Sequence, residues 1–454
     1  MIGAKHEASE AVAADEDAPN GASAYPRPLV AWTSAGLMTL MFALAYMDRQ
    51  VISLMVGQIS AEFGIGDFQI SLLQGFAFAI LFAVCGLPLG LAVDRWPRRY
   101  IIFAGVLVWS IAATSCGLSR SYGEMLVARI AVGVGEAALA PACYSLMAAL
   151  FPRRQLTFAL GVFMVGALLG AEGSLAIGGT VLQLARNGVD LPLLGHVPAW
   201  RFAFIATGLP GIALAFLALL IHEPPRERPS ATQRGWGEAF AFVATRKRFF
   251  AVQFFGFALL MALAGARGAW TPTFFMRTYG WSVAQVSYAL ASYGFVTGTF
   301  ALLASGRVVD WLFQRGMSDA HYRYCVVGGA VVAVFGVLAH LSPTADGYFA
   351  AIFLPLLVLN YGAIGASAVQ IVTPPHLRGR ISALYLMVIS LVGISLGPAI
   401  VGALTEFVFR DPKSLGLAMA LTFGCLGVVV CGLFLFGAAG MRDAVMRNRG
   451  AAPG

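Results

Sequence analysis

The sequence predicts an all-α membrane protein with twelve transmembrane helices in two six-helix bundles. Hydrophobic residues make up 59% of the 454-residue chain and charged residues 11%, whereas soluble domains have about 45–50% apolar and about 25% charged residues. The apolar residues form blocks long enough to cross a bilayer as helices. A polar segment near the middle divides these blocks into two sets of six.

The predicted elements follow in chain order. Residues 1–27 form a polar tail that lacks the basic start and apolar core of a signal peptide, so disorder is expected there. The first bundle, residues 28–222, contains predicted spans at 29–58, 69–93, 100–119, 123–150, 156–184 and 200–222. A linker at 223–248 with an early proline cluster follows. The second bundle, residues 249–440, contains predicted spans at 249–276, 283–306, 322–342, 347–372, 381–408 and 415–439, and a tail occupies 441–454.

Loop charges predict the orientation of the chain in the membrane. Most Lys and Arg residues fall in the N-terminal tail, the linker, the C-terminal tail and the loops on the same side. Since basic loops are retained in the cytoplasm, both termini, the tails and the linker are expected to be cytoplasmic. The opposite side receives only Arg120, Arg186, Arg201, Arg277, Arg410 and Lys413.

Several classes of protein are disfavoured. The few lysines follow no glycine-rich loop, so ATP-driven pumping is not expected. The six cysteines lie in apolar segments without C-x-x-C spacing, which argues against disulfides and zinc. No nucleophile and base pair is visible, so an enzyme is not expected, nor is a metal or a cofactor. The net charge of +8 is attributed to membrane topology, with no nucleic-acid partner.

Charged residues inside the predicted spans are the first candidates for function. A charge at bilayer depth costs about 2.5–3.5 kcal/mol on insertion scales and needs a partner or a wet surface. Asp48 and Arg49 lie in the first span, and Arg129 and Glu136 lie two turns apart on nearly one face of the fourth. We expect these four to share one cavity and exchange partners, with Asp48 and Glu136 coupling protons. The alternative is a permanent salt bridge that fixes helix packing.

The second half contributes Arg267 in the seventh span, within GARGAWTPTFF. A guanidinium can bind a phosphate or carboxylate through two parallel hydrogen bonds, so Arg267 is predicted to bind an anion. The alternative is an ion pair with an acid from another helix. The other predicted substrate contacts are Arg49, Glu136, Tyr46, Trp270 and Tyr361, although aromatic residues in bundles often serve packing alone.

A repeated motif supports two related halves. Gly90-x-x-x-Asp94-Arg95 closes the second predicted span, and Gly306-x-x-x-Asp310 closes the eighth. With six spans in each half, this pattern is typical of secondary transporters built from parallel repeats around a central cavity.

Two segments carry a family resemblance. The run Gly90-Leu-Ala-Val-Asp94-Arg95-Trp-Pro97-Arg98-Arg99 resembles a loop signature of the major facilitator superfamily, with Pro97 where glycine is usual. The resemblance implies that Asp94, Arg95, Arg98 and Arg99 gate the cytoplasmic side, with Asp310 as the counterpart in the second half.

The spinster-like branch is the more specific resemblance. It rests on Tyr46-Met-Asp48-Arg49 followed by Ile59 and Phe63, and on Arg129-x-x-x-Gly133-x-Gly135-Glu136-Ala137 with Pro141. Members of that branch are associated with export of lysophospholipids and sphingosine-1-phosphate. The resemblance assigns functional roles to Asp48, Arg49 and Glu136.

The predicted function is therefore secondary active export of an amphipathic anionic lipid by alternating access, coupled to protons. The protein is expected to be a monomer that spans a bacterial inner (plasma) membrane many times, in contact with membrane lipids. A proton-coupled symporter of small organic anions is the first alternative. A membrane sensor or receptor that transports nothing is the alternative from another class.

Overall fold

The computed structural model describes residues 25–192, 194–225, 236–358, 361–374 and 377–450. Within these residues, twelve helices are long and apolar enough to cross a membrane, as the sequence predicts. We number them spans 1 to 12: Pro28–Leu54, Asp67–Gly86, Arg98–Leu118, Tyr122–Leu150, Phe158–Leu184, Ala199–Leu220, Lys247–Tyr279, Val283–Gln314, Ala320–His340, Ala345–Val372, Arg378–Phe409 and Pro412–Met446. The helix of span 2 continues to Arg95, and that of span 5 begins at Arg153.

Short elements join the spans. Span 1 ends earlier than predicted because Val56–Phe63 forms a separate helix, which terminates at Gly64 with a φ of 63°. That left-handed conformation favours glycine. Another short helix, Trp236–Thr245, precedes span 7, and the strands Val189–Leu191 and Gly195–Val197 form an antiparallel hairpin between spans 5 and 6.

The helix ends are capped by local sequence. Ser121 accepts a hydrogen bond from the Glu124 backbone amide at the start of span 4. Ser282 and Gln285 form a reciprocal capping box at the start of span 8. These side chains satisfy amides that have no partner inside the helix, so they help to place the ends of both spans.

The two bundles pack in corresponding ways. Spans 3 and 6 pack together in the first bundle, as spans 9 and 12 do in the second, and the pairing of spans 1 and 5 corresponds to that of spans 7 and 11. Across the two bundles, span 5 packs on span 8 and span 2 packs on span 11. This correspondence fits the repeat predicted from the Gly-x-x-x-Asp motifs.

Small residues bring the helices close together. A side chain on Gly135 of span 4 would meet the Trp109 backbone nitrogen at 2.6 Å and the Gly105 oxygen at 2.7 Å on span 3. Gly397 of span 11 lies directly against the backbone of Ala262 in span 7. In a bilayer the hydrophobic effect does little to hold helices together, because lipid tails are as apolar as the helix surfaces. Close van der Waals packing between helices therefore supplies much of the stability.

Three π-helical segments interrupt spans 2 and 11, which face each other across the two bundles. They are Leu72–Phe76 in span 2 and Ile389–Ile394 and Leu404–Phe409 in span 11. Such segments are frequent at functional sites.

The two ends of the molecule are named as follows. The near end holds Pro28 and Met446, and the far end holds Leu54 and Asp67.

Candidate functional site

Arg49 and Glu136 form an ion pair between spans 1 and 4, and Nε and Nη2 of Arg49 both contact Oε2 of Glu136. The Glu136 side chain is fully buried, while that of Arg49 is 21% exposed. The guanidinium carbon of Arg49 also lies 4.4 Å from the Phe78 ring centre and 5.0 Å from that of Tyr46. The Arg49 guanidinium is thus held both by cation–π contacts and by the ion pair with Glu136.

Asp48 is buried nearby, and within the described part of the chain neither of its carboxylate oxygens forms an ion pair; the Thr207 hydroxyl is the polar side-chain group beside the carboxylate. Arg129, instead of pairing with that carboxylate, donates to the backbone oxygens of Asp48 and Leu73, each at 3.2 Å. Arg129 and Glu136 still act electrostatically on Asp48. The structure thus brings the four predicted residues together, with one ion pair and one acid that lacks a cationic partner.

Arg267 lies on span 7 where the two bundles meet. Its side chain is partly exposed, and none of the hydrogen bonds or ion pairs among the described residues involves it. Directly after this position in the chain, Gln50 Nε2 donates to Gly268 O at 2.8 Å and Gln74 Nε2 donates to Ala269 O at 3.1 Å. The second bundle therefore presents an unpaired cation beside contacts made by spans 1 and 2.

The predicted aromatic residues occupy different environments. Tyr46 is partly exposed beside Arg49. Tyr361 on span 10 is mostly buried with its hydroxyl 3.2 Å from Sδ of Met261, and it lies within electrostatic range of Arg267. Trp270 is fully buried and donates from Nε1 to Pro398 O at 3.0 Å. In this conformation Trp270 packs span 7 on span 11 and does not face the space between the bundles.

The predicted near-end gate residues contact their own bundle. Buried Arg98 donates to Glu223 Oε1 at 2.8 Å and to Ser145 O at 2.9 Å, and the Arg99 amide donates to Glu223 Oε2 at 3.0 Å. Arg98 therefore ties span 3 to span 4 and to the end of span 6. Arg95 is exposed.

Two predicted gate residues remain. Asp310 is exposed at the near end of span 8. The backbone of Asp94 lies in the span 2 helix, and its side chain lies outside the described atoms.

The far end holds a cross-bundle contact that the sequence did not reveal. Arg277 at the end of span 7 donates to both carboxylate oxygens of Asp67 at the start of span 2, at 2.7 and 2.8 Å. Glu406 of span 11 accepts a hydrogen bond from the Phe68 amide at 2.8 Å. Both acids lie near span ends, where charges usually reach water, so no sequence signal separated them from ordinary surface residues. Together they join the bundles at the far end.

Comparisons with known proteins agree with this architecture. The family model described as Major Facilitator Superfamily matches residues 38–398. An MFS-type efflux pump of Mycolicibacterium smegmatis is 27% identical over 438 residues, which cover 93% of this chain and 96% of that protein. Protein spinster of Drosophila melanogaster is 25% identical over 86% of this chain, which spans 65% of that protein's length.

A sugar-acid transporter and a solved structure are also similar. The hexuronate transporter of Escherichia coli is 26% identical over 75% of this chain and 78% of its own length. The crystal structure of a bacterial homolog to the human lysosomal transporter Spinster, inward-facing and unoccupied, matches with a TM-score of 0.76 and 22% identity. That match covers 94% of this chain and 100% of the other, and it shows the fold. The chain belongs to the Major Facilitator Superfamily of membrane transporters and is homologous to the Spinster proteins.

Proposed function

We propose that the protein exports an amphipathic anionic lipid, of the lysophospholipid or sphingosine-1-phosphate type, by proton-coupled alternating access. It would act as a monomer in a bacterial inner membrane with both termini in the cytoplasm. The far-end contacts of Asp67 and Glu406 then correspond to a state closed toward the outside. The resemblance of Tyr46-Met-Asp48-Arg49 and of the Glu136 segment to the spinster-like branch supports the lipid, and the mycobacterial efflux pump supports export.

The unpaired Arg267 is the observation that carries the proposal. An arginine at membrane depth is costly unless an anion or water compensates its charge, and this one has no ion-pair partner among the described residues. A phosphate fits the planar guanidinium through two hydrogen bonds. Arg49 lies over Tyr46 on the other bundle, and Tyr46 and Arg267 both act electrostatically on Tyr361, so a head group on Arg267 would have aromatic side chains and a second cation in its surroundings.

Proton coupling is assigned to Asp48 and Glu136. A buried carboxylate without a partner is costly as an anion, and either a proton or a new cationic partner removes that cost. Asp48 lacks a cationic partner, while Glu136 pairs with Arg49. Movement of Arg49 from Glu136 to Asp48, or of Arg129 from the backbone oxygens to either carboxylate, would change which acid holds a proton. Such a transfer biases the open side only through different affinities in the two states.

A second candidate, a proton-coupled symporter of small organic anions, is favoured by the Escherichia coli hexuronate transporter among the relatives. A sugar carboxylate would also pair with Arg267. The two functions differ in what the rest of the site binds, because a sugar acid needs hydrogen bonds whereas an acyl chain needs apolar wall.

Flux of labelled substrates into proteoliposomes distinguishes them. The native chain should move a labelled lysophospholipid, and excess hexuronate should not compete. Arg267→Gln should lower the initial rate at least about tenfold, since truncating one partner of a desolvated charge pair costs about 2–5 kcal/mol. Arg120→Gln, which removes an exposed arginine outside the site, is the matched control. Hexuronate flux without lipid flux would establish the symporter and overturn the exporter.

A further inference from the structure

We propose that Glu172 selects head groups that carry an ammonium beside the anion. It would act as a specificity residue opposite Arg267. This inference rests on the proposed lipid function and assigns one more residue to the same site.

Glu172 lies on span 5, where the first bundle packs against span 8 of the second. Its carboxylate is seated on Gly294, so a side chain at position 294 would occupy the place of the carboxylate oxygens. The residue is partly exposed, and the described hydrogen bonds include none to its carboxylate. The first bundle thus presents an unpartnered acid to the interface.

Hydrogen bonds to one stretch of span 1 place Glu172 and Arg267 near each other. Ser174 Oγ, two residues from Glu172, donates to Met47 O at 2.9 Å, and Gln50 Nε2 donates to the carbonyl next to Arg267, Gly268 O, at 2.8 Å. Arg267 also acts electrostatically on Glu172. The two residues belong to different bundles, and they do not form an ion pair in this structure. Each therefore lacks a direct counter-charge although the other lies within electrostatic range. The arrangement leaves one positive and one negative group at similar depth on opposite sides of the bundle interface.

The two opposite charges, on Arg267 and Glu172, discriminate among ligands. A plain anion on Arg267 is repelled by Glu172, and like charges brought together at a binding site cost several kcal/mol. A phosphate with an attached ammonium satisfies both groups, with the phosphate on the arginine and the ammonium on the glutamate. Discrimination of this kind, by penalising the wrong ligand, is a general route to specificity. Among lipids that supply an anionic phosphate to Arg267, lysophospholipids with an attached ammonium are therefore expected to bind better than those without one.

Competition binding on the full chain in detergent tests the inference, with lysophosphatidylcholine and lysophosphatidic acid as probes. The native chain should prefer lysophosphatidylcholine about tenfold, and Glu172→Gln should remove or reverse that preference by gaining affinity for lysophosphatidic acid. Gly294→Ala keeps every charge but displaces the carboxylate, so it should shift the preference in the same direction. Asp190→Asn, at an exposed acid on the hairpin, is the control and should leave the preference unchanged.

The outcomes separate the two claims. An unchanged preference in Glu172→Gln, with both lipids still bound, would overturn the role of Glu172 and leave the lipid function intact. Failure of the native chain to bind either lipid would overturn the lipid function and this inference together. Loss of preference in both variants but not in the control would support the assignment.

Discussion

Closure of the far end by Asp67 and Arg277 leads to a quantitative prediction. The two side chains are 7% and 21% exposed, so their pair lies between a surface salt bridge, worth about 0.2–1 kcal/mol, and a buried one, whose disruption costs about 3–5 kcal/mol. Arg277→Gln is therefore expected to weaken far-end closure by about 2 kcal/mol. Since about 1.4 kcal/mol corresponds to tenfold, the open fraction should rise about thirtyfold.

Electron–electron distance measurements between two spin labels can detect this shift. Ala61 on the short helix after span 1 and Lys413 at the start of span 12 are both exposed at the far end, in different bundles. The labels would be attached there after replacement of the six native cysteines. Arg277→Gln should increase the population at long distance. The swapped pair Asp67→Arg with Arg277→Asp should return it toward the native distribution.

The reasoning would be refuted by a distance distribution that is the same in Arg277→Gln as in the native chain. It would also be refuted if the swapped pair opened the far end as much as the single variant, because restored charge complementarity should restore closure. An equal shift in Arg120→Gln, which alters a far-end arginine outside the pair, would indicate a general charge effect instead.

Two stability predictions follow from packing in the first bundle. Arg98→Ala should lower the free energy of unfolding by about 2–4 kcal/mol, because it removes the hydrogen bonds to Glu223 and Ser145 and leaves the largely buried Glu223 carboxylate without its cation. Thermal unfolding in detergent measures this loss, and Arg95→Ala, at an exposed arginine, is the control. Gly135→Ala should cost about 1–3 kcal/mol by forcing span 4 away from Trp109 and Gly105. Gly36→Ala, whose new methyl group meets nothing within 4 Å, should be neutral or stabilising in the same assay, and equal melting of the two glycine variants would contradict the packing argument.

Much of the architecture could be predicted from the sequence because the bilayer allows few solutions. Long apolar blocks must be helices in lipid, and the described residues contain twelve such helices. The boundary of span 1 was less predictable. The apolar residues of Val56–Phe63 continue the hydrophobic pattern, although the chain forms a separate helix there, and hydropathy does not distinguish a bend from a continuous helix.

The sequence indicates which charged residues belong to the candidate site, but not which of them form an ion pair. Asp48, Arg49, Arg129 and Glu136 attract notice because charge is rare at membrane depth. Which acid pairs with Arg49 depends on the rotation and tilt of spans 1 and 4, which periodicity does not determine. Trp270 illustrates the same limit, since a tryptophan on span 7 fits packing and ligand contact equally well until its neighbour Pro398 is known.

Long-range contacts at the span ends gave no signal at all. Asp67 and Arg277 are far apart in the chain, and each resembles an ordinary interfacial charge. Their pairing arises from the meeting of spans 2 and 7 at the far end. The same holds for Glu406, whose contact with the Phe68 amide depends on span 11 packing against span 2.

Gradient-driven lipid flux tests the central claim most directly, namely that the charged groups of spans 1 and 4 couple protons to transport. Proteoliposomes with native protein, Asp48→Asn or Glu136→Gln would be compared with and without a pH gradient. We predict that the gradient stimulates flux in the native chain, that each substitution abolishes this stimulation, and that Asp48→Asn still binds the lipid. Stimulation of native size in both variants would contradict the claim.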